Sequence, residues 1–249
     1  MKRILEVNNL CKSFEDIQVL NDISFKVDEG EFIAIMGQSG SGKSTLLYSI
    51  SGMDRPTSGN VLLCGKDISN LNDEKMSEVR LKQIGFVFQH SYLLKNLSIR
   101  DNIVLPGFKA GTLRDQVNQD ADDLMEKTGI SSLGSHDIKK VSGGQLQRAA
   151  ICRALINHPD ILFGDEPTGA LNNSTTREVM DIINGVNSEG TTVIIVTHDA
   201  KVAARASRVI YIIDGNIHDE LILGKYEGDE ETKSCRDKKL YEWLEKQGF

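Results

Sequence analysis

A glycine-rich loop between an apolar strand and a helix limits what this chain can fold into. The loop reads GQSGSGKST, residues 37–45, and lies between the apolar segments FIAIM and LLYSI. This order matches the phosphate-binding pattern GxxxxGK[ST] in the strand–loop–helix setting that the pattern requires. Glycines let backbone N–H groups converge on a phosphate chain, and the positive end of the following helix attracts the same anion. The sequence therefore predicts a P-loop, and a loop that merely turns the chain is the alternative.

Two side chains of this loop carry specific predictions. We expect Lys43 to bridge the β- and γ-phosphate oxygens of ATP, and the Ser44 hydroxyl to ligate Mg²⁺. The full set of loop residues predicted to bind the nucleotide is Gly37, Gln38, Ser39, Gly40, Ser41, Gly42, Lys43, Ser44 and Thr45.

Short apolar runs alternate with helical patterns along the chain. The runs are EFIAIMG, NVLLCG, IGFVFQ, DILFGDEP, TTVIIVTHD and RVIYIIDG, each bounded by glycine or polar turns. Such runs are typical of buried strands, and strands that alternate with helices indicate a mostly parallel α/β core. The segments ILEVNNL and DISFKV, near the N-terminus, predict a small antiparallel sheet at one edge.

Two segments differ from this alternating pattern. Residues from about 91 to 156 are mainly helical and polar, which predicts a helical subdomain inserted between two core strands. The segment after residue 223 is strongly charged. We therefore expect one nucleotide-binding domain over residues 1–223 and a tail over residues 224–249.

Composition excludes several classes of function. The 249 residues include 29 basic and 36 acidic side chains, and the net charge of −7 argues against a nucleic-acid partner. The four cysteines lack metal-ligand spacing and are predicted to be reduced thiols. The segment MKRILEVNNLCKSF lacks the continuous apolar core and cleavage site of a secretion signal, so none is predicted there. No run approaches the roughly 18 apolar residues that a membrane span needs. These observations predict a cytoplasmic protein.

Polar side chains follow three of the predicted strands. Asp165 and Glu166 end the run ILFGDE, where Asp165 is predicted to hold Mg²⁺ and Glu166 to act as general base toward water. His198, after IIVT, is predicted to contact the γ-phosphate and the attacking water, and a plain polar strand cap is the alternative. Gln89, after FVF, is either a surface glutamine or a sensor that reaches Mg²⁺ and water.

A second anion-binding pattern lies about a hundred residues after the P-loop, in VSGGQLQRAAICRAL. Ser142, Gly143, Gly144 and Gln145 offer a hydroxyl, unhindered backbone amides and a helix N-terminus, but neither a lysine nor a Mg²⁺ ligand. Such a half-site binds terminal phosphate oxygens and cannot activate them. It is either a simple helix cap or the completing half of a nucleotide pocket on another subunit. In the second case two copies, head to tail, would bury two ATP molecules.

The ordered set of P-loop, Gln89, VSGGQLQR, ILFGDEPTGALN and VTHD resembles the nucleotide-binding subunits of ATP-binding cassette (ABC) transporters. The resemblance covers about residues 1–217. It implies an ABC-type P-loop fold and MgATP hydrolysis by a head-to-tail homodimer. The catalytic residues that it implies are Lys43, Gln89, Glu166 and His198. Gln89 would also ligate Mg²⁺, and it would begin a lever that senses a permease.

The resemblance assigns further positions and shows two departures. Phe14 occupies the place of an aromatic residue that stacks on adenine, and residues 169–172 form the D-loop that links the two sites. Val141 replaces the usual leucine, which should spare phosphate binding. Asn172 replaces the usual aspartate, and the lost charge is expected to alter communication between the sites.

The segments FQHSYLLKNLSIRDNIVLP, VSGGQ and GDEPTGALN resemble a narrower group, the ATPases of macrolide export and lipoprotein release. Within that group they are most similar to the bacitracin- and lantibiotic-resistance (Bce-like) members. This likeness implies a separate FtsX-like permease, a place on the inner face of the cell membrane, a role in antimicrobial peptide resistance or export, and a sensor kinase as a further candidate partner. A lipoprotein-release or cell-division type of ATPase, which drives a permease without exporting a peptide, is the alternative. Two further classes are an ABC ATPase that acts on DNA or the ribosome, and a regulatory module that couples a permease to septal cell-wall hydrolysis or to a sensor kinase without moving substrate.

The charged tail contains an amphipathic pattern. Leu240, Trp243 and Leu244 have the i, i+3, i+4 spacing of an apolar helical stripe, which Tyr241 is predicted to widen. The stripe either docks on the chain's own core or contacts a permease or a sister subunit.

Overall fold

Residues 2–248 are described by the structure, a computed structural model, so Met1 and Phe249 of the predicted domain and tail lie outside the described residues. An antiparallel sheet has the strand order β2-β1-β4-β5. Its strands are β1 (Arg3–Phe14), β2 (Ile17–Asp28), β4 (Ser58–Leu63) and β5 (Lys66–Asp67). This sheet is the predicted antiparallel edge.

A second sheet has the order β10-β9-β3-β8-β7-β6. Its strands are β3 (Phe32–Gly37), β6 (Ile84–Phe88), β7 (Ile161–Asp165), β8 (Thr192–Val196), β9 (Arg208–Ile213) and β10 (Asn216–Ile222). All pairs except β9–β10 are parallel. Every residue of β3 and β8 is buried, because helices and the other sheet cover both faces. The mostly parallel α/β core is therefore confirmed.

The run NVLLCG forms a strand, as predicted, but in the other sheet. It is β4, which pairs antiparallel with β1 through Glu6↔Leu62 and Val7↔Val61. Only Val61 and Leu63 of this strand are buried, so one face meets the core. An apolar run predicts a strand but does not say which neighbour it pairs with.

Helices cover the sheets. They are α1 (Lys43–Ile50), α2 (Asp73–Gln83), α3 (Ile99–Lys109), α4 (Arg114–Lys127), α5 (Gly143–Leu155), α6 (Asn173–Ser188), α7 (Ala200–Ala203) and α8 (Glu230–Lys246). Helices α3, α4 and α5 lie between β6 and β7 in the chain and share a core that includes Ile103, Ala121 and Ala149. In the described part of the chain, no helix is both long and apolar enough to cross a membrane.

The register of the central strands brings their carboxyl ends level. Phe88 of β6 pairs with Asp165 of β7, and Asp165 pairs with Val196 of β8. Ile35 of β3 also pairs with Val196. The residues that follow these strands therefore meet at one edge of the sheet.

Helix α8 packs its stripe against the chain's own core. Leu240 and Leu244 are fully buried, and Trp243 donates from Nε1 to Asp219 Oδ2 over 2.8 Å. Tyr241 does not widen the stripe, because its side chain is 44% exposed. Successive helical residues are about 100° apart, and Tyr241 lies on the side of Leu240 opposite Trp243.

Arg236 fixes α8 to the rest of the chain. Its side chain is buried and donates five hydrogen bonds to backbone carbonyls. The acceptors are Ala204 and Ala206, before β9, and Leu223, Gly224 and Lys225, after β10. One guanidinium thus satisfies carbonyls from both sides of the β9–β10 hairpin.

We predict that Arg236→Met lowers the free energy of unfolding by about 2–4 kcal/mol, because it keeps the apolar stem and leaves buried carbonyls without donors. Urea denaturation measures the change, and Lys246→Met, at the exposed end of the same helix, is the matched control. A loss below about 1 kcal/mol would contradict the stabilising role of Arg236.

Candidate functional site

The predicted P-loop crosses the carboxyl end of β3. Gly37 ends the strand with φ 152°, and a Cβ there would lie 2.2 Å from the carbonyl oxygen of Ile212, so only glycine fits. Gly42, with φ 95°, precedes α1 and supplies no side-chain cap. The first amides of α1 therefore stay available to an anion, which the helix dipole also attracts.

A cleft of about 420 Å³ opens at this loop. Its lining residues are Val19, Gly37, Ser39, Gly40, Gly42, Lys43, Ser44, Thr45, Glu166 and His198. Of the predicted loop residues, Gln38 and Ser41 do not line the cleft. Ser41 is buried, and its carbonyl accepts a bond from the amide of Gly215.

Lys43 is the cation of this cleft. Its Nζ donates to the Gln38 carbonyl over 2.6 Å. Burial lowers the pKa of the Lys43 ammonium, and the carboxylates of Glu166 and Asp165 oppose that effect. A buried ammonium beside the unpaired first amides of a helix is suited to bind a polyanion.

Asp165 is held by two hydroxyls of α1. Ser44 Oγ donates to Asp165 Oδ1 over 2.9 Å, and the Tyr48 hydroxyl donates to Oδ2 over 2.5 Å. Burial and the bond to Asp165 raise the pKa of Tyr48, so the phenol remains a donor. Sequence analysis missed Tyr48, although its i, i+4 spacing from Ser44 places both on one helical face.

The oxygens of Ser44 and Asp165 fit Mg²⁺, which prefers hard oxygen ligands and keeps several of its waters. Across residues 2–248, no group of three or more His, Cys, Asp or Glu side chains could hold a metal ion. Ser44 and Asp165 would be part of the ion's ligand shell, since Mg²⁺ is usually bound by one or two carboxylates together with waters and substrate phosphates.

Glu166 and His198 meet at the edge where β7 and β8 end. His198 Nδ1 lies 2.9 Å from Glu166 Oε1. Glu166 has φ 45°, a conformation that non-glycine residues seldom adopt, and its amide donates to the Val196 carbonyl. The turned backbone directs the carboxylate into the cleft, where its side chain is 24% exposed.

Gln89 lies beside Glu166 without lining the cleft. A Cβ on Gly169 would be 2.8 Å from Gln89 Nε2 and 3.0 Å from Glu166 Oε2, so both side chains flank Gly169. Gln89 itself is exposed. The structure thus brings together the side chains of Lys43, Asp165, Glu166 and His198, with Gln89 next to them.

The SGGQ segment does not line this cleft. Ser142 precedes α5 and accepts from the Gln145 amide, while the Gln145 side chain accepts from the Ser142 amide. The segment therefore does form the helix cap that is one of its two interpretations. A Cβ on Gly144 would lie 2.3 Å from the Thr175 methyl carbon, so close packing against α6 requires that glycine.

Gly143 has no such requirement from its own chain. It is exposed, and a Cβ added to it would meet no atom within 4 Å beyond its chain neighbours and its own helix backbone. Its amide and that of Gly144 belong to the first turn of α5, where helices leave N–H groups without intrahelical partners. Ser142, as an acceptor, keeps its hydroxyl proton for an anion.

Phe14 also lies outside the cleft lining. It ends β1, its ring is 48% exposed, and Lys12 Nζ lies 4.7 Å from the ring centroid. Its hairpin partner is Ile17, on the strand that contributes Val19 to the cleft.

Asn172 caps α6. Its Oδ1 accepts from the Thr175 amide over 3.0 Å and from Ser174 Oγ over 2.7 Å. An amide oxygen can cap a helix as an aspartate does, so the substitution keeps the local structure.

Sequence analysis also missed Gln147, which is 2% exposed. Its Nε2 donates to the carbonyls of Phe88 and Pro167. A bond from a side chain to backbone leaves no pattern in the sequence, so no signal pointed to this residue.

Comparison with known proteins agrees with this geometry. The family model described as ABC transporter matches residues 20–169. The ABC transporter ATP-binding protein YknY of Bacillus subtilis is 41% identical over 218 residues, 86% of this chain and 95% of that protein. The lipoprotein-releasing system ATP-binding protein LolD of Leptospira interrogans is 40% identical, over 86% of this chain and 90% of its own length.

Two more proteins extend the comparison. The macrolide export ATP-binding/permease protein MacB of Rhodopseudomonas palustris is 43% identical over 80% of this chain, which spans 30% of that longer protein. Among solved structures, a dimeric post-hydrolysis state of the ATP-binding cassette MJ0796 bound to ADP and phosphate has a TM-score of 0.82. It is 34% identical and covers 88% of this chain and 98% of its own.

Three observations lead to one assignment. A P-loop lies beside two strand-end carboxylates, an SGGQ segment begins a helix, and the matches cover most of the chain. The chain belongs to the ABC transporter family and is an ATP-hydrolysing cassette of that family.

Proposed function

We propose that this cassette hydrolyses MgATP as a head-to-tail dimer and thereby drives a membrane permease. One observation supports the proposal of a dimer: Lys43 and Glu166 line the cleft, whereas Ser142–Gln145 do not. A single chain can therefore bind ATP in the cleft, but its own SGGQ segment does not reach the reacting phosphate. The SGGQ segment of a second copy supplies the missing part. The dimeric solved structures of MJ0796 support this arrangement.

Lys43 and the first amides of α1 bind the β- and γ-phosphates, because both present positive charge to the cleft. Glu166 accepts a proton from the attacking water as general base. His198, with the proton on Nδ1, donates to Glu166 and orients its carboxylate. Gln89, flanking Gly169 with Glu166, helps to place the water.

Ser44, Asp165 and Gln89 are the residues that would hold Mg²⁺. The ion would neutralise charge on the β- and γ-phosphate oxygens. Tyr48 keeps Asp165 oriented toward Ser44 from the neighbouring turn of α1.

The partner copy contributes the exposed end of its α5. The Ser142 hydroxyl and the amides of Gly143 and Gly144 would donate to the γ-phosphate of the first copy. Phe14, whose ring is half exposed at the tip of the β1–β2 hairpin, is the residue proposed to stack on adenine.

The partner that we propose is a permease of the FtsX-like type, with the cassette bound at the inner face of the cell membrane. The LolD and MacB names of two relatives support such a permease. For the cargo we propose antimicrobial peptides, because the segments FQHSYLLKNLSIRDNIVLP, VSGGQ and GDEPTGALN together resemble the Bce-like group. Lipoprotein release is the second candidate, favoured by the identity to LolD. No feature of residues 2–248 supports a sensor kinase, so it is not part of the proposal.

The dimer is tested by the dependence of ATPase rate on protein concentration. We expect the rate per subunit to rise with concentration, and Gly143→Asp to abolish that rise, because a carboxylate would repel the partner's phosphate. MgATP binding by the isolated variant should stay unchanged. Gly185→Asp, at an exposed position of α6 with open space around it, is the matched control. A full rate that is independent of concentration would rule out the dimer.

Lys43→Ala should weaken MgATP binding at least about 10-fold, because it removes a charge-assisted contact with two phosphates. Isothermal calorimetry measures the affinity, and Lys75→Ala, an exposed lysine of α2, controls for net charge. Unchanged affinity would remove Lys43 from the phosphate site.

Glu166→Gln should lower turnover about 100-fold or more, because the amide cannot accept the proton of water. The same variant should accumulate as an ATP-bound dimer, visible by size exclusion with light scattering. Glu126→Gln, on the exposed face of α4, is the control. Persistent steady-state hydrolysis would show that another group is the base.

A further inference from the structure

Helix α5 begins with the half-site and is bonded to the strand ends of its own nucleotide site. Gln147 follows the SGGQ segment by two residues and is 2% exposed. Its Nε2 donates to the Phe88 carbonyl over 2.8 Å and to the Pro167 carbonyl over 2.7 Å. Both protons of one amide nitrogen are therefore used.

The two acceptors adjoin the proposed catalytic groups. Phe88 directly precedes Gln89, and Pro167 directly follows Glu166. Because Phe88 pairs with Asp165, the two carbonyls belong to neighbouring strand ends. A shift of α5 that carried Gln147 away would leave two acceptors without their donor, and restoring the bonds would favour the original placement.

A second residue of α5 holds the other side of Gln89. Arg153 donates to the carbonyls of Ser91 and Tyr92 over 2.8 and 2.7 Å. The segment with Gln89 is thus bonded to α5 both before and after that residue. The Glu166 loop is bonded to α5 by Gln147.

We propose that Gln147 is a positioning residue that couples the placement of the SGGQ segment on a partner's nucleotide to the alignment of Gln89 and Glu166 in its own site. This inference rests on the proposed head-to-tail dimer and adds a route between the two nucleotides. Docking of Ser142 and Gly143 orients α5, and Gln147 transmits that orientation to the water-activating side chains. Gln147 touches no reacting atom itself.

A purely structural Gln147 would only satisfy two carbonyls, and its loss would then lower stability alone. The test therefore compares turnover with dimer formation. Gln147→Met keeps the length of the side chain and removes both donors. Gln119→Met, which replaces an exposed glutamine of α4, is the matched control.

In Gln147→Met we expect kcat to fall about 10- to 100-fold, the cost of a misplaced catalytic group. MgATP affinity of the monomer should stay at the wild-type value. In a Glu166→Gln background, the same substitution should still give the ATP-bound dimer, because the SGGQ segment is intact. Turnover is measured well below the melting temperature.

A kcat within twofold of wild type would overturn the proposal, as would equal losses of kcat and of dimer formation. If Gln147→Met does not fold, Gln147→Asn is used instead, because it keeps the amide and shortens its reach by one methylene. The proposal then requires the same result, a lower kcat with dimer formation retained. If the proposed dimer is wrong, a different measurement shows it: the ATPase rate of the wild-type protein will not depend on concentration.

Discussion

The site depends on the parallel pairing of β7 between β6 and β8. With Phe88, Asp165 and Val196 paired in one row, the residues after each strand emerge at the same edge. Asp165 is the last residue of β7, and its carboxylate meets the hydroxyls of α1. Glu166 follows the strand with φ 45°, and this turn directs its carboxylate to His198. A slip of one residue in this pairing would move both carboxylates relative to α1 and β8 and separate each from its partner.

This arrangement divides the work between two parts of the chain. Lys43, Glu166 and His198 line the cleft, and Asp165 bonds to Ser44 beside it, whereas the start of α5 lies outside the cleft. In the proposed function the first group supplies positive charge, a base and oxygens for Mg²⁺, and the start of α5 binds an anion. On the proposed function, ATP that reaches one copy is bound without the SGGQ contacts. Hydrolysis then waits for the second copy, so turnover is tied to closure and to the permease that closure moves.

Features could be predicted from the sequence where only one type of residue suits the local structure. Gly37 could be placed from the GxxxxGK[ST] pattern, and the structure shows that only glycine fits beside Ile212. The strands could be placed because long apolar runs must be buried. The sheet to which β4 belongs could not be predicted, because an apolar run does not show which strand it will pair with. Gln147 and Arg236 bond to backbone carbonyls, which every residue carries, so only the folded chain shows their acceptors.

The tail shows the same limit and resolves one open alternative. Its amphipathic stripe fitted the chain's own core or another protein equally well, and the buried Leu240 and Leu244 decide for the core. The exposed residues of α8, which include Tyr241 and Lys238, are the part of the helix left for contact with a permease or a second copy. Arg236 bonds the helix to the carbonyls of Ala204 and Ala206, which lie between α7 and β9, so α8 is fixed to the segment that follows α7.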